Sequence, residues 1–331
     1  MIGHSQFTVV STFSGCGGSS LGYRMAGGKV LLAVEWDENA CAAYRLNFPD
    51  TPLFCGDIAT LSVDEILSRT SLLSGELDVL DGSPPCQGFS TVGTRRMHDD
   101  RNQLFREFVR LLRGLQPKAF VMENVSGMVR GNMRFIFTEI LRELQDCGYR
   151  VKARVLNAKF FGVPQSRERI IFIGVRNDLG LEPSHPIGTL KVVSAATAIR
   201  DVPVDLEEHA MLLAAGKKYA AYEVWPLLKP GQKRTDLGLK NGYSCVKVYP
   251  DRPCPTVTKN DGTISMHGLM HWQEQRRFTV GEYKRFQSFP DDFQFVGSYS
   301  DAVQRIGNSV PPLFMKRIAE HIRDHILHCH D

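Results

Sequence analysis

Cys86 sits in the stretch Gly82-Ser-Pro-Pro-Cys-Gln-Gly-Phe-Ser90. Two prolines stiffen the chain ahead of the thiol and remove two N–H donors. That is a poor way to bury a structural cysteine and a good way to hold one at the edge of a cleft. A free thiol titrates at about pH 8.5, so a nucleophile here needs nearby positive charge or a helix N-terminus. Glu123, in Glu123-Asn-Val125, offers a carboxyl group that an adjacent strand would carry toward the same cleft. A cysteine beside a carboxylic acid suits covalent addition assisted by proton transfer. Either motif alone is as much at home in a structural role.

Four further features concern small ligands and anions. Phe13-Ser-Gly-Cys-Gly-Gly-Ser-Ser-Leu-Gly22 follows an apolar run, and glycines at a strand-to-helix turn let backbone N–H groups approach a ligand. Glu35 closes the next apolar run, where an acid accepts hydrogen bonds from ribose hydroxyls. Asp57, in Gly56-Asp-Ile58, is a candidate partner for an adenine amino group. The spacing Gly15-x-Gly17-Gly18 departs from the dinucleotide fingerprint and favours a nucleoside without a bridging pyrophosphate. A tight turn with no ligand is the plainer alternative. In Gln165-x-Arg167-x-Arg169, alternate positions of an extended segment share a face, so the two arginines would reach one site together. Two solvated arginines would look the same.

The elements that must position these residues alternate between strand and helix. Phe7–Thr12, Val30–Glu35, Leu77–Asp81, Lys118–Glu123, Val151–Asn157 and Arg169–Val175 read as strands. Asn102–Leu115 places Leu104, Phe105, Phe108, Leu111, Leu112 and Leu115 on one helical face. Asp37–Phe48 reads as a helix with an aspartate cap. Alternation of this kind predicts an α/β fold with a doubly wound, mostly parallel sheet and ligands at the strands' C-terminal ends. After about Arg176, Pro, Gly and Lys become frequent and helical periodicity fades. One short helix within Thr189–Asp201 and short strands within Gly242–Met270 are expected there. From about Phe278 the helical pattern returns, with an amphipathic helix over Pro311–Leu327.

Composition sets the outer bounds. The 331 residues are 43% hydrophobic and 23% charged, with a net charge of +4, which suits a folded globular protein of about two domains. No apolar run approaches the roughly 20 residues of a membrane span. The first residues lack a secretory pattern, so a cytoplasmic protein is expected. None of the eight cysteines forms a Cys-x-x-Cys pair, which argues against zinc and redox motifs and predicts mostly free thiols in a reducing compartment. Between Lys217 and Lys259, nine Lys or Arg stand against three acids, a candidate phosphate-contacting surface or simply a solvated basic face.

The motifs FSGCGGSSLG, Glu35-Trp36, Gly56-Asp57-Ile58, SPPCQGFS, Glu123-Asn-Val, Gln165-Ser-Arg167-Glu-Arg169 and Gly307-Asn-Ser-Val-Pro311 occur in that order. Together they resemble the DNA cytosine-5 methyltransferases of bacterial modification systems. The likeness spans about Phe7 to Arg176 and about Phe278 to the C-terminus. It implies a catalytic domain of residues 1–180 plus 276–331, of the S-adenosylmethionine-dependent methyltransferase type, and a target-recognition domain of residues 181–275. It implies Cys86 as nucleophile, Glu123 as acid, and Arg167 and Arg169 in the catalytic cluster. The cofactor, S-adenosyl-L-methionine, would meet Phe13, Ser14, Gly15, Gly17, Gly18, Glu35, Trp36, Asp57, Ile58, Pro84, Leu104, Asn308 and Ser309. Double-stranded DNA would meet Gln87, Ser90, Arg95, Arg96, Gln165 and Thr256, with 87–102 as a closing loop. No metal is implied. A monomer with a cognate restriction endonuclease as partner is expected. In the block Arg277-Phe-Thr-Val-Gly-Glu-Tyr-Lys-Arg285, Gly281 stands where the family usually has an arginine.

Competing readings fit fewer residues. A tRNA methyltransferase of the same fold carries Cys-Phe-Thr in its small domain, whereas Cys245 precedes Val246 and Cys254 precedes Pro255. A nicotinamide dehydrogenase would explain the glycine turn and Glu35 but neither Pro-Pro-Cys nor Glu-Asn-Val. An inactive DNA-binding scaffold has no need for Cys86 and Glu123.

Overall fold

The computed structural model describes residues 6–85, 103–129, 134–219, 222–239, 245–265 and 268–328. The chain forms two compact units. The first comprises Met1–Leu156, Glu168–Ile187 and Met315–Asp331, and the second Asn157–Arg167 and Gly188–Phe314. The longer segment of the second unit overlaps the expected recognition segment 181–275 and extends beyond it.

The first unit starts with β1 (Phe7–Thr12), α1 (Gly18–Met25), β2 (Gly28–Glu35), α2 (Glu38–Asn47) and β3 (Leu53–Cys55). It continues through α3 (Val63–Thr70), β4 (Val79–Gly82), α4 (Gln103–Leu115), β5 (Ala119–Val125), α5 (Arg134–Gln145) and β6 (Tyr149–Asn157). After β7 (Gln165–Ser166), which belongs to the second unit, β8 (Glu168–Arg176) completes a seven-stranded sheet of order β3-β2-β1-β4-β5-β8-β6. The pairs from β3 to β5 are parallel, as helical crossovers require, while β8 runs antiparallel to β5. The expected strands are therefore present, with β8 reversed relative to β5. The strands are apolar because both sheet faces are covered. Val10, Leu32, Leu80, Phe120 and Phe172 pack with Phe108, Leu111 and Leu112 of α4 in one buried cluster. Each such side chain contributes about 1.5–3 kcal/mol through burial. Asp37 caps α2, its carboxylate accepting from the Ala40 N–H at 2.9 Å.

The second unit contains α6 (Ala195–Ile199), α7 (Leu206–Lys218), β9 (Cys245–Lys247), β10 (Cys254–Pro255) and β11 (Gly268–Met270). These are followed by α8 (Val280–Phe286), α9 (Tyr299–Asn308) and the start of α10 (Pro312–Ile322). Strand β10 pairs with β7 and β9 with β11, both parallel. Val257, Leu269, Phe278, Phe286, Val303 and Ile306 form its core. Gly281 lies where a Cβ would come 2.9 Å from a Val202 methyl, so a larger side chain there requires Val202 to shift. The neighbouring guanidinium is Arg276, buried and paired with Glu282 at 2.8 Å.

Cys16, Cys147, Cys245 and Cys254 are free thiols, in line with mostly free cysteines, but one pair is bonded. Cys41 and Cys55, on α2 and β3, form a disulfide, because neighbouring elements bring together residues 14 apart in sequence. Among the described residues, no helix is long and apolar enough to cross a membrane. No group of three or more His, Cys, Asp or Glu among them is placed to hold a metal ion.

Candidate active site

The turn after β1 is built on left-handed backbone at Phe13 (φ 54°), Gly15 (φ 56°) and Gly17 (φ 102°). The two glycines are needed for different reasons. A Cβ on Gly17 would fall 2.2 Å from the Phe48 ring, so close packing forbids a side chain. A Cβ on Gly15 would meet nothing within 4 Å, so the space in front of it is open. Phe13 carries a bulky side chain in a conformation that costs about 1–2 kcal/mol, strain of the kind that collects at functional turns. Ser14 donates from its hydroxyl to the Ser11 carbonyl and is buried. Gly18 begins α1 and is buried.

Glu35 ends β2 with its carboxylate nearly enclosed. It accepts from the Gly15 N–H at 2.7 Å and from the Trp36 and Asp37 N–H groups at 2.9 Å each. A carboxylate has about four lone-pair sites, so three bonds fix the turn and leave capacity for one more donor. Trp36 is 76% exposed, an aromatic face at the strand's end. Asp57 is exposed and caps a short 3-10 turn through the Ala59 N–H. Ile58 is buried in the core and Leu104 packs against that same cluster from α4.

The ends of β4 and β5 lie side by side, with Gly82 in register with Met122. Cys86, Gln87, Ser90, Arg95 and Arg96, with the expected closing loop, lie outside the described residues. Pro84, just before Cys86, is buried, and its carbonyl accepts from the Asn124 side-chain amide at 2.9 Å. Asn124 thus fastens the segment leading to the thiol, a role that its position beside Glu123 did not announce. Glu123 pairs with Arg169 across the β5–β8 ladder, Nε to Oε1 at 2.7 Å, with both side chains largely shielded. The arginine fixes the carboxylate at the strand's end.

Asp81 is a second residue that sequence reasoning missed. It sits mid-sheet on β4, 2% exposed, in register with Ser11 of β1. Its carboxyl accepts from Ser11 Oγ at 3.0 Å, Ser19 Oγ at 2.6 Å and Tyr23 OH at 3.4 Å. Burial pushes its titration up to about 7, against the hydroxyl donors that favour the charged form. The native state then holds this proton more tightly than the unfolded chain. The group's contribution to stability is full below about pH 4 and is lost as the pH rises to about 7.

Two expected site residues bond to partners within the second unit. Arg167 is 2% exposed, and its guanidinium donates to the carbonyls of Val257 and Gly307 at 2.9 Å each. It braces the second unit, while Arg169 pairs with Glu123. Gln165 is fully buried, bonded to Gln287 at 2.6 Å and to the Val257 N–H at 3.1 Å. Thr256 is half-buried and donates to the Ser166 carbonyl at 2.8 Å. It borders a cavity of about 510 Å³ in the second unit, whose walls include Lys233, Lys247, Tyr249 and Thr258. Lys247 lies 3.7 Å from the centre of the Trp225 ring, and burial lowers its affinity for its proton. Asn308 is exposed at the end of α9, while Ser309 is buried and bonds back to the Arg305 carbonyl.

The C-5 cytosine-specific DNA methylase family matches residues 7–324. Type II methyltransferase M1.HphI of Haemophilus parahaemolyticus is 39% identical over 95% of this chain and 86% of its own length. Type II methyltransferase M.NgoFVII of Neisseria gonorrhoeae is 33% identical over the same shares. Among solved structures, a prophage-encoded protein of E. coli assigned as a DNA modification methyltransferase superposes with a TM-score of 0.78 at 25% identity, covering 97% of this chain and 100% of its own. The DNMT2 structure from Spodoptera frugiperda, a mutant, has a TM-score of 0.67 at 20% identity over 97% of this chain and 100% of its own, a likeness of fold. The family match over nearly all of the sequence and the ordered motifs agree: this chain belongs to the C-5 cytosine-specific DNA methylases.

Proposed function

We propose that the protein methylates C5 of a cytosine within a short specific duplex DNA sequence, through a covalent bond from Cys86 to C6. The observation that carries this reading is the Arg169-clamped Glu123 on β5, beside the Asn124-fastened segment that leads to Cys86.

Each residue has a step to perform. The base must leave the stack, since methyltransferases act on ring atoms that a duplex hides. The Cys86 thiolate adds to C6, which makes C5 electron-rich. Glu123 hydrogen-bonds or protonates N3 and so stabilises the charge that develops there, while Arg169 keeps the carboxyl in place. S-adenosylmethionine, when bound, supplies the methyl group that C5 takes. Loss of the C5 proton and expulsion of Cys86 then restore the aromatic ring and leave 5-methylcytosine. Lys233, Lys247 and Thr256 around the cavity of the second unit suit phosphate contacts. The part of that unit within residues 188–275 is the target-recognition part of this proposal.

The turn suits the methyl donor. Open space before Gly15, the remaining acceptor capacity of Glu35 and the exposed Trp36 ring match an adenosyl group. Asp57 and Ser14 lie on the neighbouring strand ends. The two glycines should separate under mutation. Gly17→Ala is expected to cost about 2–4 kcal/mol of stability from overpacking and left-handed strain. Gly15→Ala is expected to cost only about 1 kcal/mol yet weaken donor binding at least about tenfold. Thermal unfolding and calorimetric titration of S-adenosylmethionine check both.

The Type II relatives support a place in a modification system, either a restriction–modification pair or an orphan one. A cytoplasmic monomer, with a cognate endonuclease in the paired case, completes the proposal. The test of function is transfer of label from S-adenosylmethionine to duplex DNA and, in parallel, to tRNA. Label in DNA is expected, and label in tRNA with none in DNA would overturn the substrate class.

A further inference from the structure

Asp81 is a carboxyl group in the middle of a parallel sheet, a position that ordinarily holds an apolar side chain. Three hydroxyl donors from two elements converge on it: Ser11 from β1, and Ser19 and Tyr23 from α1. Ser19 lies in the first turn of the helix that the glycine turn opens. Thr12 adds a bond to the backbone of Asp81, its hydroxyl donating to the carbonyl at 2.9 Å. The cluster therefore fastens the glycine turn to β4, five residues before Cys86. A purely structural fastening of this shape needs no ionisable group, because an asparagine has nearly the same volume and also accepts from hydroxyls.

We propose that Asp81 is a positioning residue for the methyl donor, and that its carboxylate favours the positively charged donor over the uncharged product, S-adenosylhomocysteine. The proposal rests on the donor site assigned above to the glycine turn. The donor carries a sulfonium charge, which methyl transfer removes. A negative charge buried behind the turn attracts the first and gains little from the second. The ionised form also strengthens the bonds from Ser11 and Ser19, since hydrogen bonds to a charged acceptor are the stronger ones. The groups that face the carboxyl are Ser11 from β1, Ser19 and Tyr23 from α1, Tyr44 from α2 and Glu123 from β5. Tyr23 is held protonated by burial and by the neighbouring carboxylate. Burial pushes Tyr44 up to about 12. The Glu123 charge is paired with Arg169. Asp81 is thus the group of this cluster that titrates near neutrality, at about 7.

The test is calorimetric binding of S-adenosylmethionine and of S-adenosylhomocysteine to the whole protein, from about pH 6 to about pH 8.5. In the wild type, donor affinity relative to product affinity is expected to rise roughly fivefold across this range as Asp81 ionises. In Asp81→Asn that rise is lost and the ratio stays at its low-pH value. Ser19→Ala removes the shortest bond to the carboxylate, so the inflection is expected to move to higher pH while the rise remains. A wild type that binds both ligands with a pH-independent ratio would overturn this proposal and leave the donor site intact. Unchanged pH dependence in either variant would also overturn it. A wild type that binds neither ligand would overturn both the donor site and this role for Asp81.

Discussion

Replacing Cys86 with serine is expected to reduce DNA methylation by on the order of 10⁴-fold or more, with binding of donor and DNA retained. The size follows from the chemistry that the residue performs. A thiol at about pH 8 is already partly thiolate, whereas a serine hydroxyl is not ionised and would need a base to remove its proton. Addition to C6 is the step that makes C5 reactive, so its loss is not offset by the donor site, Glu123 or DNA binding. Single-turnover methylation of duplex DNA with saturating S-adenosylmethionine reads the chemical step directly. Calorimetric titration with the donor checks that binding survives. A Cys86→Ser variant that retains a tenth of the wild-type rate would exclude covalent addition through this residue.

The second large effect concerns Glu123. Glu123→Gln is expected to lower kcat by about 10²–10³-fold with little change in KM, because general-acid assistance acts in the transition state and not in ground-state binding. Glutamine is the informative substitution. Its amide oxygen still accepts from Arg169, which preserves much of the 2.7 Å contact. Glu123→Ala instead leaves the Arg169 guanidinium, 14% exposed, without its carboxylate, and its activity loss would be mixed with a loss of stability. Steady-state kinetics with thermal unfolding in parallel separates the two. A glutamine variant with normal kcat would remove Glu123 from the chemistry.

Much of this site was legible in the sequence because its parts are local. The turn from Phe13 to Gly18, the acid at the end of β2 and the Glu-Asn-Val at the end of β5 each lie within one short segment. The apolar runs also name their strands, and the stripe from Leu104 to Leu115 names α4. What stayed hidden depends on partners far away in the chain. Asp81 is bonded to Ser11, 70 positions earlier, and Asn124 to Pro84, 40 positions earlier. Nothing in the period of either segment marks such bonds. Helix α7 was missed because Leu206–Lys218 has no strong apolar stripe, although Asp205 caps it through the Glu208 N–H.

Arg167 and Arg169 show where a local rule stops. Alternate residues share a face only along a continuous strand, but β7 ends at Ser166 and β8 begins at Glu168. The chain passes from the second unit to the first between Arg167 and Glu168. One arginine therefore braces the carbonyls of Val257 and Gly307, and the other holds Glu123. The Cys41–Cys55 bond is hidden in a similar way, since neither residue lies in a recognisable cysteine pattern.

The most direct test of the central claim uses duplex DNA in which the cytosines are replaced by 5-fluorocytosine. Fluorine at C5 leaves no proton to remove after methyl transfer, so Cys86 is not expelled. With S-adenosylmethionine present, a protein–DNA adduct that survives denaturation is expected, and mass spectrometry should place the base on the peptide containing Cys86, with none in Cys86→Ser. Efficient methylation of ordinary duplex DNA without any such adduct, or an adduct on another residue, would contradict it.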